Sequence, residues 1–290
     1  MLRVRVLDEF GKLCTAIVHD GRNAVDVTLD DWRELLPPED LLKHPAAGPS
    51  SKERLREQHG RFRKLLVDNG VNLLSPRSQK GAFGQVFTRD PCFAVGDTLF
   101  IGGLSDEWRL SEPAGLADIR TRFERVIDLS GDGAKIEGGD VMVLDSGRCI
   151  LIGMNEHTDE SGFGKLAAAL AQSGIESIPV PHGTVHLDCC LAPLPNGEAL
   201  YAAAVLPETS VSRIGRCFGR LTALDADEAP RHLAANMFWL DPRRVVTPVA
   251  TKKTNALLRA RGYEVIELDF SDVISLLGSF RCVVCPIERD

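Results

Sequence analysis

Residues 141–152 read VMVLDSGRCILI, and this short stretch is the most informative about the fold. Two apolar, β-prone runs, Val141–Leu144 and 149–152, flank the sequence Asp145-Ser146-Gly147. Asp, Ser and Gly are turn formers, so the pattern predicts a β-hairpin. A helical pattern over 160–173 follows, closed by a glycine, and leads into a further apolar run. The sequence therefore predicts a local unit of hairpin, helix and strand.

The same unit recurs along the chain. The other predicted hairpins pair 3–6 with 14–18, Cys92–Val95 with Thr98–Ile101, 187–191 with 199–203, and 237–240 with 245–249. The predicted helices lie at 52–69, 160–173 and Lys252–Ala260, with weaker patterns at 116–124 and 211–218, and strands are predicted at 71–74, 175–180 and 263–268. The last four hairpins begin roughly 45–50 residues apart, a spacing typical of repeat architectures.

Five such units predict one domain over residues 1–290. Each unit has an apolar sheet face that it cannot bury alone, so the units must pack around a shared axis. We expect a closed five-bladed α/β propeller with its helices outside. A doubly wound sheet is the alternative, but its strands alternate singly with helices and lack these hairpins. Residues 26–51, rich in proline and charge, are predicted to be a surface insertion or a lid over a site.

Composition narrows the class of protein. The chain has 290 residues, 44% hydrophobic and 26% charged, which is typical of a globular protein. The net charge of −7 argues against nucleic acid or an anionic membrane as a partner, and it suits a cationic substrate. Residues 1–8 are strand-like and charged rather than a signal peptide, and no apolar run is long enough to span a bilayer. Eight cysteines without compact spacing predict free thiols in the cytoplasm.

Polar residues occupy equivalent places in the repeat. Asp90 precedes the second hairpin, Glu137 the third, His186 and Asp188 open the fourth, and Cys282 precedes the last short strand. Under pseudo-fivefold symmetry, equivalent places lie at one end of one axis, so we expect these side chains to converge. Carboxylates, an imidazole and a thiol together can hold a planar cationic carbon while a sulfur attacks it. The set indicates chemistry on a guanidinium or amidinium group.

Four motifs resemble those of the guanidino-group modifying superfamily, which includes arginine deiminases, dimethylarginine dimethylaminohydrolases and amidinotransferases. They are Phe87-Thr88-Arg89-Asp90-Pro91, Ile136-Glu137-Gly138-Gly139-Asp140-Val141, His186-Leu187-Asp188 and Cys282-Val283-Val284-Cys285-Pro286-Ile287. Their order and spacing agree over nearly the whole chain. The resemblance implies a pentein fold, which is a five-bladed α/β propeller. The chain lacks the helical insertion of bacterial arginine deiminases, and its length is closer to the dimethylarginase type.

The resemblance also implies catalytic roles. Cys282 is the expected nucleophile, and His186 is the expected general acid and base, oriented by Glu137. The alternative for each is a structural side chain. Cys282 and Cys285 are also spaced like a redox or metal pair, but no second such pair accompanies them. His182 and His186 are four residues apart, like a zinc pair on a helix, but the residues between them disfavour a helix. We predict no metal and no organic cofactor.

Substrate contacts follow from the same resemblance. Asp90 and Asp188 are expected to hold the guanidinium nitrogens, with Asp140 as a further contact. Arg109 stands where relatives bind the substrate carboxylate, and its alternative is a surface arginine. His157 stands where amino-acid-handling relatives carry a second carboxylate-binding arginine. The deiminase arginine before the nucleophile aligns with Leu277, so the expected recognition of an arginine-like tail is altered.

The sequence predicts an enzyme that acts on a small guanidino compound. Hydrolysis through a covalent amidino-thioether at Cys282 is the first hypothesis, and an amidinotransferase that passes the group to an amine acceptor is the second. A third is a non-catalytic binding protein on the same fold. Neither nucleic acid nor a membrane is an expected partner, and a homodimer is compatible with the sequence.

Overall fold

The computed structural model describes residues 1–36 and 38–290, and the strands of these residues form five sheets of three strands each. The strands are β1 (Leu13–Ile17), β2 (Asn72–Leu74), β3 (Cys92–Val95), β4 (Thr98–Ile101), β5 (Val126–Asp128), β6 (Val141–Leu144), β7 (Cys149–Met154), β8 (Glu176–Pro181), β9 (Leu191–Pro193), β10 (Glu198–Tyr201), β11 (Arg220–Ala223), β12 (Phe238–Trp239), β13 (Arg244–Pro248), β14 (Glu264–Leu268) and β15 (Cys285–Arg289). The sheet orders are β15-β1-β2, β3-β4-β5, β6-β7-β8, β9-β10-β11 and β12-β13-β14.

Every sheet has the same internal pattern. Its central strand pairs antiparallel with one neighbour and parallel with the other. Parallel neighbours need a crossover connection, which helices supply here. The helices are α1 (Leu29–Leu35), α2 (Pro38–Lys43), α3 (Lys52–Asp68), α4 (Ala117–Arg120), α5 (Glu160–Ala171), α6 (Glu208–Ile214), α7 (Glu228–His232), α8 (Lys252–Ala260) and α9 (Ser271–Ile274). This is a mixed α/β fold whose five sheets fit a pseudo-fivefold arrangement.

Several predicted elements are confirmed at or near their predicted bounds. Strands β3, β4 and β6 and helix α8 have the bounds that the sequence predicted. Helix α3 ends one residue early, and Gly70 follows it with a φ of +81°, a conformation that glycine adopts without strain. Asp159 caps α5, because its side chain accepts a hydrogen bond from the backbone N–H of Gly162. Local turn and capping signals therefore determine these elements.

The predicted first hairpin is wrong. Strand β1 pairs antiparallel with β15 at the other end of the chain, rather than with residues 3–6. Arg5 and Val6 instead make isolated bridges to Glu288 and Gly96. Cys285 and Ile287 of β15 are completely buried, so this strand gains more from pairing inside the sheet than the charged N-terminal segment would. The first sheet is thus completed by the C-terminal strand.

The fourth hairpin and two helices are displaced from their predicted positions. Residues Leu187–Cys189 form a short 3₁₀ turn, and the strand begins only at Leu191. The turn forms because the Leu187 N–H donates to a carboxylate oxygen of Asp140 at 2.8 Å, which replaces a strand hydrogen bond. Helix α4 is shorter than the pattern at 116–124 suggested, and α6 begins three residues before 211. These shifts occur where tertiary contacts override the local pattern.

The inserted segment 26–51 carries α1 and α2. A capping box between Thr28 and Asp31 begins α1. Trp32 is buried, and its indole N–H donates to the carbonyl of Gly48 at 2.9 Å, which closes the segment on itself. Among the described residues, no helix is both long enough and apolar enough to cross a membrane.

A cluster of aromatic rings supports the segment that leads to Cys282. Phe62 of α3 meets Phe280 edge-on, with ring centroids 5.0 Å apart, and Phe270 stacks on Phe280 at 4.1 Å. Phe62, Phe270 and Phe280 are all buried. Such pairs add to the stabilisation from apolar burial. The backbone just before the predicted nucleophile is therefore fixed by packing against the core.

Candidate active site

One pocket of about 290 Å³ collects most of the predicted site residues. Asp90, Arg109, His157, His186 and Cys282 line it. Further lining side chains are mainly apolar and include Val27, Trp32, Leu36, Phe83, Phe87, Trp108, Leu276 and Leu277. The predicted residues Glu137, Asp140 and Asp188 are buried directly behind this lining, in contact with it. The repeat therefore brings together side chains that are nearly 200 residues apart in sequence.

Cys282 lies just before β15 and is 3% exposed. Its carbonyl accepts a hydrogen bond from the backbone N–H of Arg89 at 3.0 Å, which ties the Asp90 loop to the nucleophile. The amide of Asn236 donates to the Cys282 sulfur at 3.1 Å. The carbonyl oxygen of the same amide accepts from the backbone N–H groups of Arg281 and Cys282 at 3.0 and 3.3 Å. One side chain therefore fixes both the backbone and the sulfur of Cys282.

Asn236 was not predicted from the sequence. It directly precedes the fifth hairpin, as Asp90 precedes the second, so its place in the repeat was an available signal. The residue type of Asn236 was not a signal, because an amide lacks the acid–base and nucleophilic chemistry that marks carboxylates, histidines and thiols.

His186 and Glu137 form a buried ion pair. The His186 Nε2–H donates to Glu137 Oε2 at 2.8 Å, and its Nδ1 lies 3.6 Å from Asp90 Oδ1. Burial opposes the charged imidazolium, but the negative charges of Asp90, Glu137 and Asp140 outweigh it and raise the pKa of His186 well above its usual value. Burial likewise opposes the Glu137 carboxylate, yet hydrogen bonds from His157 and His186 hold its pKa well below the usual range. The pair is therefore charged over a wide pH interval.

His157 approaches the same carboxylate from the other side. Ser105 donates its backbone N–H and its hydroxyl to Glu137 Oε1, at 2.8 and 2.9 Å. Because the Ser105 hydroxyl donates its single hydrogen to Glu137, its oxygen accepts a hydrogen bond from His157 Nδ1 at 2.7 Å. His157 Nδ1 is also 3.3 Å from Glu137 Oε1, which again requires a proton on Nδ1. In the neutral ring, Nε2 is therefore a hydrogen-bond acceptor.

Arg109 makes two strong ion pairs. Its Nη1 donates to Asp90 Oδ2 at 2.8 Å, and its Nε and Nη2 donate to the two oxygens of Glu112 at 3.0 and 2.9 Å. The other oxygen of Asp90 is buried and accepts no hydrogen bond from any described residue. Burial raises the pKa of Asp90. Arg109 thus holds Asp90 through one carboxylate oxygen, and its predicted contact with a substrate carboxylate stays a prediction.

Asp140 and Asp188 have different surroundings. Asp140 accepts hydrogen bonds from His182 Nε2 at 2.9 Å, the Leu187 N–H at 2.8 Å and the Thr158 hydroxyl at 2.7 Å. Its oxygens hold the His186 turn, and it does not line the pocket as a predicted substrate contact would. Asp188 Oδ2 pairs with Arg281 at 2.7 Å, while its Oδ1 lies 4.0 Å from the Cys282 sulfur.

A network of buried charges lies beneath the nucleophile. Glu9 accepts from Arg281 at 3.1 Å, from Arg89 at 3.2 Å and from the Val143 backbone N–H at 3.0 Å. Burial alone would raise the pKa of Glu9, but the positive charges of Arg281 and Arg89 lower it to about 2. Arg281 extends from Glu9 to Asp188, so this network positions the residue next to Cys282. No motif marks Glu9 in the sequence, because its partners are distant along the chain.

We expect Glu9→Gln to destabilise the protein by about 3 kcal/mol at pH 7. Each pH unit by which folding lowers the pKa of a carboxyl group stabilises the folded protein by about 1.4 kcal/mol. The contribution is complete above the ordinary glutamate pKa of 4.5 and is lost as the pH falls towards about 2. Urea unfolding at pH 7 and pH 3 measures it, and the difference between wild type and variant should be smaller at pH 3. A difference that is equal at both pH values would contradict this assignment.

Among the residues that the structure describes, two groups of side chains have the donor types of a metal site. Glu137, His157 and His186 form one, and Asp188, Cys189 and Cys282 the other, with donor atoms within 4.8 Å of one another in each. Glu137 already accepts hydrogen bonds from Ser105 and both histidines, and Arg109 lies 3.8 Å from it. Asp188 is paired with Arg281. Hydrogen bonds satisfy the Glu137 carboxylate, and the Arg281 guanidinium already neutralises the charge of Asp188, so neither group fits a resident cation well.

The fold and the site define an enzyme that modifies guanidino groups. A family model described as "N,N dimethylarginine dimethylhydrolase, eukaryotic" matches residues 47–289, and the chain belongs to that family. It is 29% identical over 242 residues to the uncharacterized protein YkgA of Bacillus subtilis, covering 80% of each chain. It is 28% identical over 277 residues to an arginine deiminase of Rhodococcus erythropolis, covering 79% of this chain and 67% of the relative.

Solved structures share the fold. SxtG, an amidinotransferase from Microseira wollei, superposes with a TM-score of 0.81 at 15% identity, covering 99% of this chain and 97% of that one. This likeness shows the fold. The family model places the chain among enzymes that act on guanidino groups, and the arginine deiminase is a relative of the same chemical class.

Proposed function

We propose that this enzyme hydrolyses a small guanidino compound through a covalent amidino-thioether at Cys282. The observation that supports this most directly is the Asp90 side chain, which lines the same pocket as His186 and Cys282 and has one buried carboxylate oxygen, Oδ1, that accepts no hydrogen bond from any described residue. A buried acceptor without a partner is costly, so a ligand N–H is expected to satisfy it. Asp188 Oδ1, next to the sulfur, is a second acceptor for the guanidinium. A pocket with one carboxylate in its lining and another next to its thiol suits a planar cation with several N–H donors.

The proposed reaction has two halves. The Cys282 thiolate adds to the guanidinium carbon, and the resulting tetrahedral adduct expels an amine. His186, held as an imidazolium by Glu137, donates a proton to that leaving amine. The neutral His186 then takes a proton from water, which attacks the amidino-thioether carbon and releases the thiolate. Glu137 stabilises the charged imidazole in each half.

The first experiment is a panel of guanidines incubated with the enzyme, with and without glycine or ornithine. A ureido product indicates hydrolysis, and a new guanidine on the acceptor indicates transfer. Amidino transfer is the alternative because the SxtG fold covers nearly the whole chain and the same residues serve both reactions. The homologues with named activities are enzymes, which argues against the non-catalytic binding protein.

The wider architecture supports this proposal. We propose that the five sheets close around one axis as a single domain, the five-bladed propeller expected from the repeat. We also propose that residues 26–51 act as a lid, because Val27, Trp32, Leu36 and Lys43 line the pocket that contains Cys282. The cytoplasmic location and a homodimer remain predictions.

The far end of the substrate is proposed to meet His157. Where the resemblance places an arginine, the His157 ring lines the pocket, and its neutral form has an acceptor nitrogen, Nε2. Asp106 and Glu156 also line the pocket, and Leu277 replaces the second expected arginine. Lys43 and Arg109 are the lysine and arginine side chains in the described lining, to which His44 and His182 also belong. This balance favours a guanidine whose far end is a hydrogen-bond donor or is uncharged over one that ends in an α-carboxylate.

We expect His157→Arg to shift specificity towards a carboxylate-bearing guanidine. A new charge-assisted hydrogen bond of about 1.5–3 kcal/mol corresponds to a gain of about 10- to 100-fold in the ratio of kcat/KM for arginine over agmatine. Steady-state kinetics on both compounds measures the ratio. His157→Gln is the matched control, because it keeps a polar side chain without a positive charge. A ratio that stays the same in His157→Arg would place the substrate tail elsewhere.

A further inference from the structure

A second thiol lies beside the nucleophile. Cys189 directly follows Asp188 on the 3₁₀ turn, and its sulfur is within 4.8 Å of the Cys282 sulfur. The Asn236 amide that donates to Cys282 at 3.1 Å lies 3.9 Å from the Cys189 sulfur. Asp188 Oδ1 lies 3.5 Å from Cys189 and 4.0 Å from Cys282. The proposed reaction has no use for Cys189.

The two sulfurs differ in their access to the pocket. Cys282 lines the main pocket, whereas Cys189 lines a smaller, mostly apolar cavity of about 70 Å³ that shares Val185 and Leu277 with it. Both residues are buried, at 3% and 4% exposure. A small oxidant entering by the substrate route would therefore meet Cys282 first, with Cys189 directly behind it.

We infer that Cys189 and Cys282 form a redox modification site, in which a peroxide converts the two thiols into a disulfide. The Cys282 sulfur attacks one peroxide oxygen, breaks the O–O bond and becomes a sulfenic acid, and the other oxygen leaves as water. The Cys189 sulfur then attacks the Cys282 sulfur and releases a second water. In total, two thiols and one hydrogen peroxide give one disulfide and two waters. A dithiol reductant reverses the reaction.

Asp188 supplies the base that the second step needs. A hydrogen bond with Cys282, burial and the charge of Asp188 raise the pKa of Cys189 well above its usual value. Cys189 therefore waits as a neutral thiol, and its proton must leave as the disulfide forms. Its S–H already points to Asp188 Oδ1 at 3.5 Å, so the carboxylate can accept that proton. The sulfurs must close to about 2.05 Å, which requires a small rotation of one or both side chains.

Other cysteines provide internal controls. Cys217 is half-buried, and a hydrogen bond with Cys149 lowers its pKa to about 7, so it is also a candidate for oxidation. Cys190 adjoins Cys189, but its S–H donates to the Leu187 carbonyl at 3.3 Å. Trypsin cleavage after arginine and lysine places Cys149 in peptide 149–165 and Cys217 in 217–220, apart from the proposed pair. Peptide 166–213 contains both Cys189 and Cys190, and peptide 282–289 contains both Cys282 and Cys285, so fragment ions within each peptide must locate the linked thiol.

The test treats the intact enzyme with one equivalent of hydrogen peroxide, blocks the remaining thiols and maps the peptides by tandem mass spectrometry, which distinguishes Cys189 from Cys190 and Cys282 from Cys285. We expect peptide 166–213 linked to 282–289 in the wild type and in Cys190→Ala and Cys217→Ala, with the free Cys282 thiol restored by dithiothreitol. In Cys189→Ala the link is absent after one equivalent, and with three or more equivalents of peroxide Cys282 accumulates sulfinic and sulfonic acids that dithiothreitol does not reduce.

Oxidised Cys282 without the link in the wild type would overturn the inference, and so would equal recovery of the Cys282 thiol in Cys189→Ala. The wild-type map alone decides the first point, even if a variant folds poorly. Because the readout is peptide mass rather than turnover, the result does not depend on finding the substrate. A linked pair in an enzyme that modifies no guanidine would leave this inference intact while contradicting the proposed function.

Discussion

Replacing Cys282 by serine is expected to reduce turnover of the best guanidine substrate by on the order of 10⁴-fold or more, as removal of a catalytic nucleophile does in other enzymes. Serine keeps the shape of the side chain, but its hydroxyl is a far weaker nucleophile at neutral pH than a thiolate. The Asn236 amide can still donate to the oxygen, so the fold and the pocket should persist. Steady-state kinetics gives the loss, and the mass of the acid-quenched protein shows whether the covalent adduct disappears.

Cys285→Ala is the matched control for this experiment. Cys285 lies three residues away and is completely buried, but it belongs to β15 and is not part of the pocket lining. Its loss should lower stability moderately while leaving the adduct and the rate nearly unchanged. An adduct that forms in Cys282→Ser and disappears in Cys285→Ala would assign the nucleophile to the other thiol of the pair.

The repeat made much of the fold predictable. Strands β3, β4 and β6 and helix α8 are specified by short runs and by turn residues next to them, so their signals are local. The partner of β1 was not predictable in this way, because the antiparallel strand is β15, at the opposite end of the chain. The local pattern favoured residues 3–6 as the partner of β1, but burial of Ile287 favours pairing with β15. Pairing over such a distance depends on packing that a local pattern does not contain.

The site shows the same division. Asp90, His186 and Cys282 carry chemistry in their residue types and lie in recognisable motifs, so the sequence could indicate them. Glu9 lacks such a signal: its role comes from Arg281, which is 272 positions away. Asn236 acts on Cys282 from 46 positions away through an amide that has no acid–base chemistry of its own. Residues that position a catalytic group are thus harder to predict than the group itself, since any polar side chain at the right place suffices.

Glu137→Gln is expected to lower kcat by about 10²- to 10⁴-fold, the range for loss of effective acid–base catalysis. Glutamine keeps the size and can still hydrogen-bond to His186, but it removes the negative charge that holds the imidazolium. The pKa of His186, now well above its usual value, should fall, because Glu137 is one of the charges that raise it. The activity of the variant should therefore decline with rising pH earlier than that of the wild type. A pH profile of kcat over pH 5–9 and the histidine ¹⁵N shifts of both proteins measure the change.

The stability of the two proteins tests the same pair. The stabilisation from charged His186 is complete below the ordinary histidine pKa of 6.5 and is lost as the pH rises through the raised value in the folded protein. The stabilisation from Glu137 is complete above pH 4.5 and is lost as the pH falls through the depressed pKa of Glu137 in the folded protein.

Glu112→Gln is the matched control for the pH profile of activity, because it removes a buried carboxylate that pairs with Arg109 but does not contact His186. If Glu112→Gln moved the alkaline limb of activity as far as Glu137→Gln does, the effect would come from the net charge of the pocket. A shift confined to Glu137→Gln instead assigns the raised pKa of His186 to its direct hydrogen bond with Glu137. Proton transfer in this enzyme would then depend on a pair in which the pKa of His186 is raised and that of Glu137 is lowered.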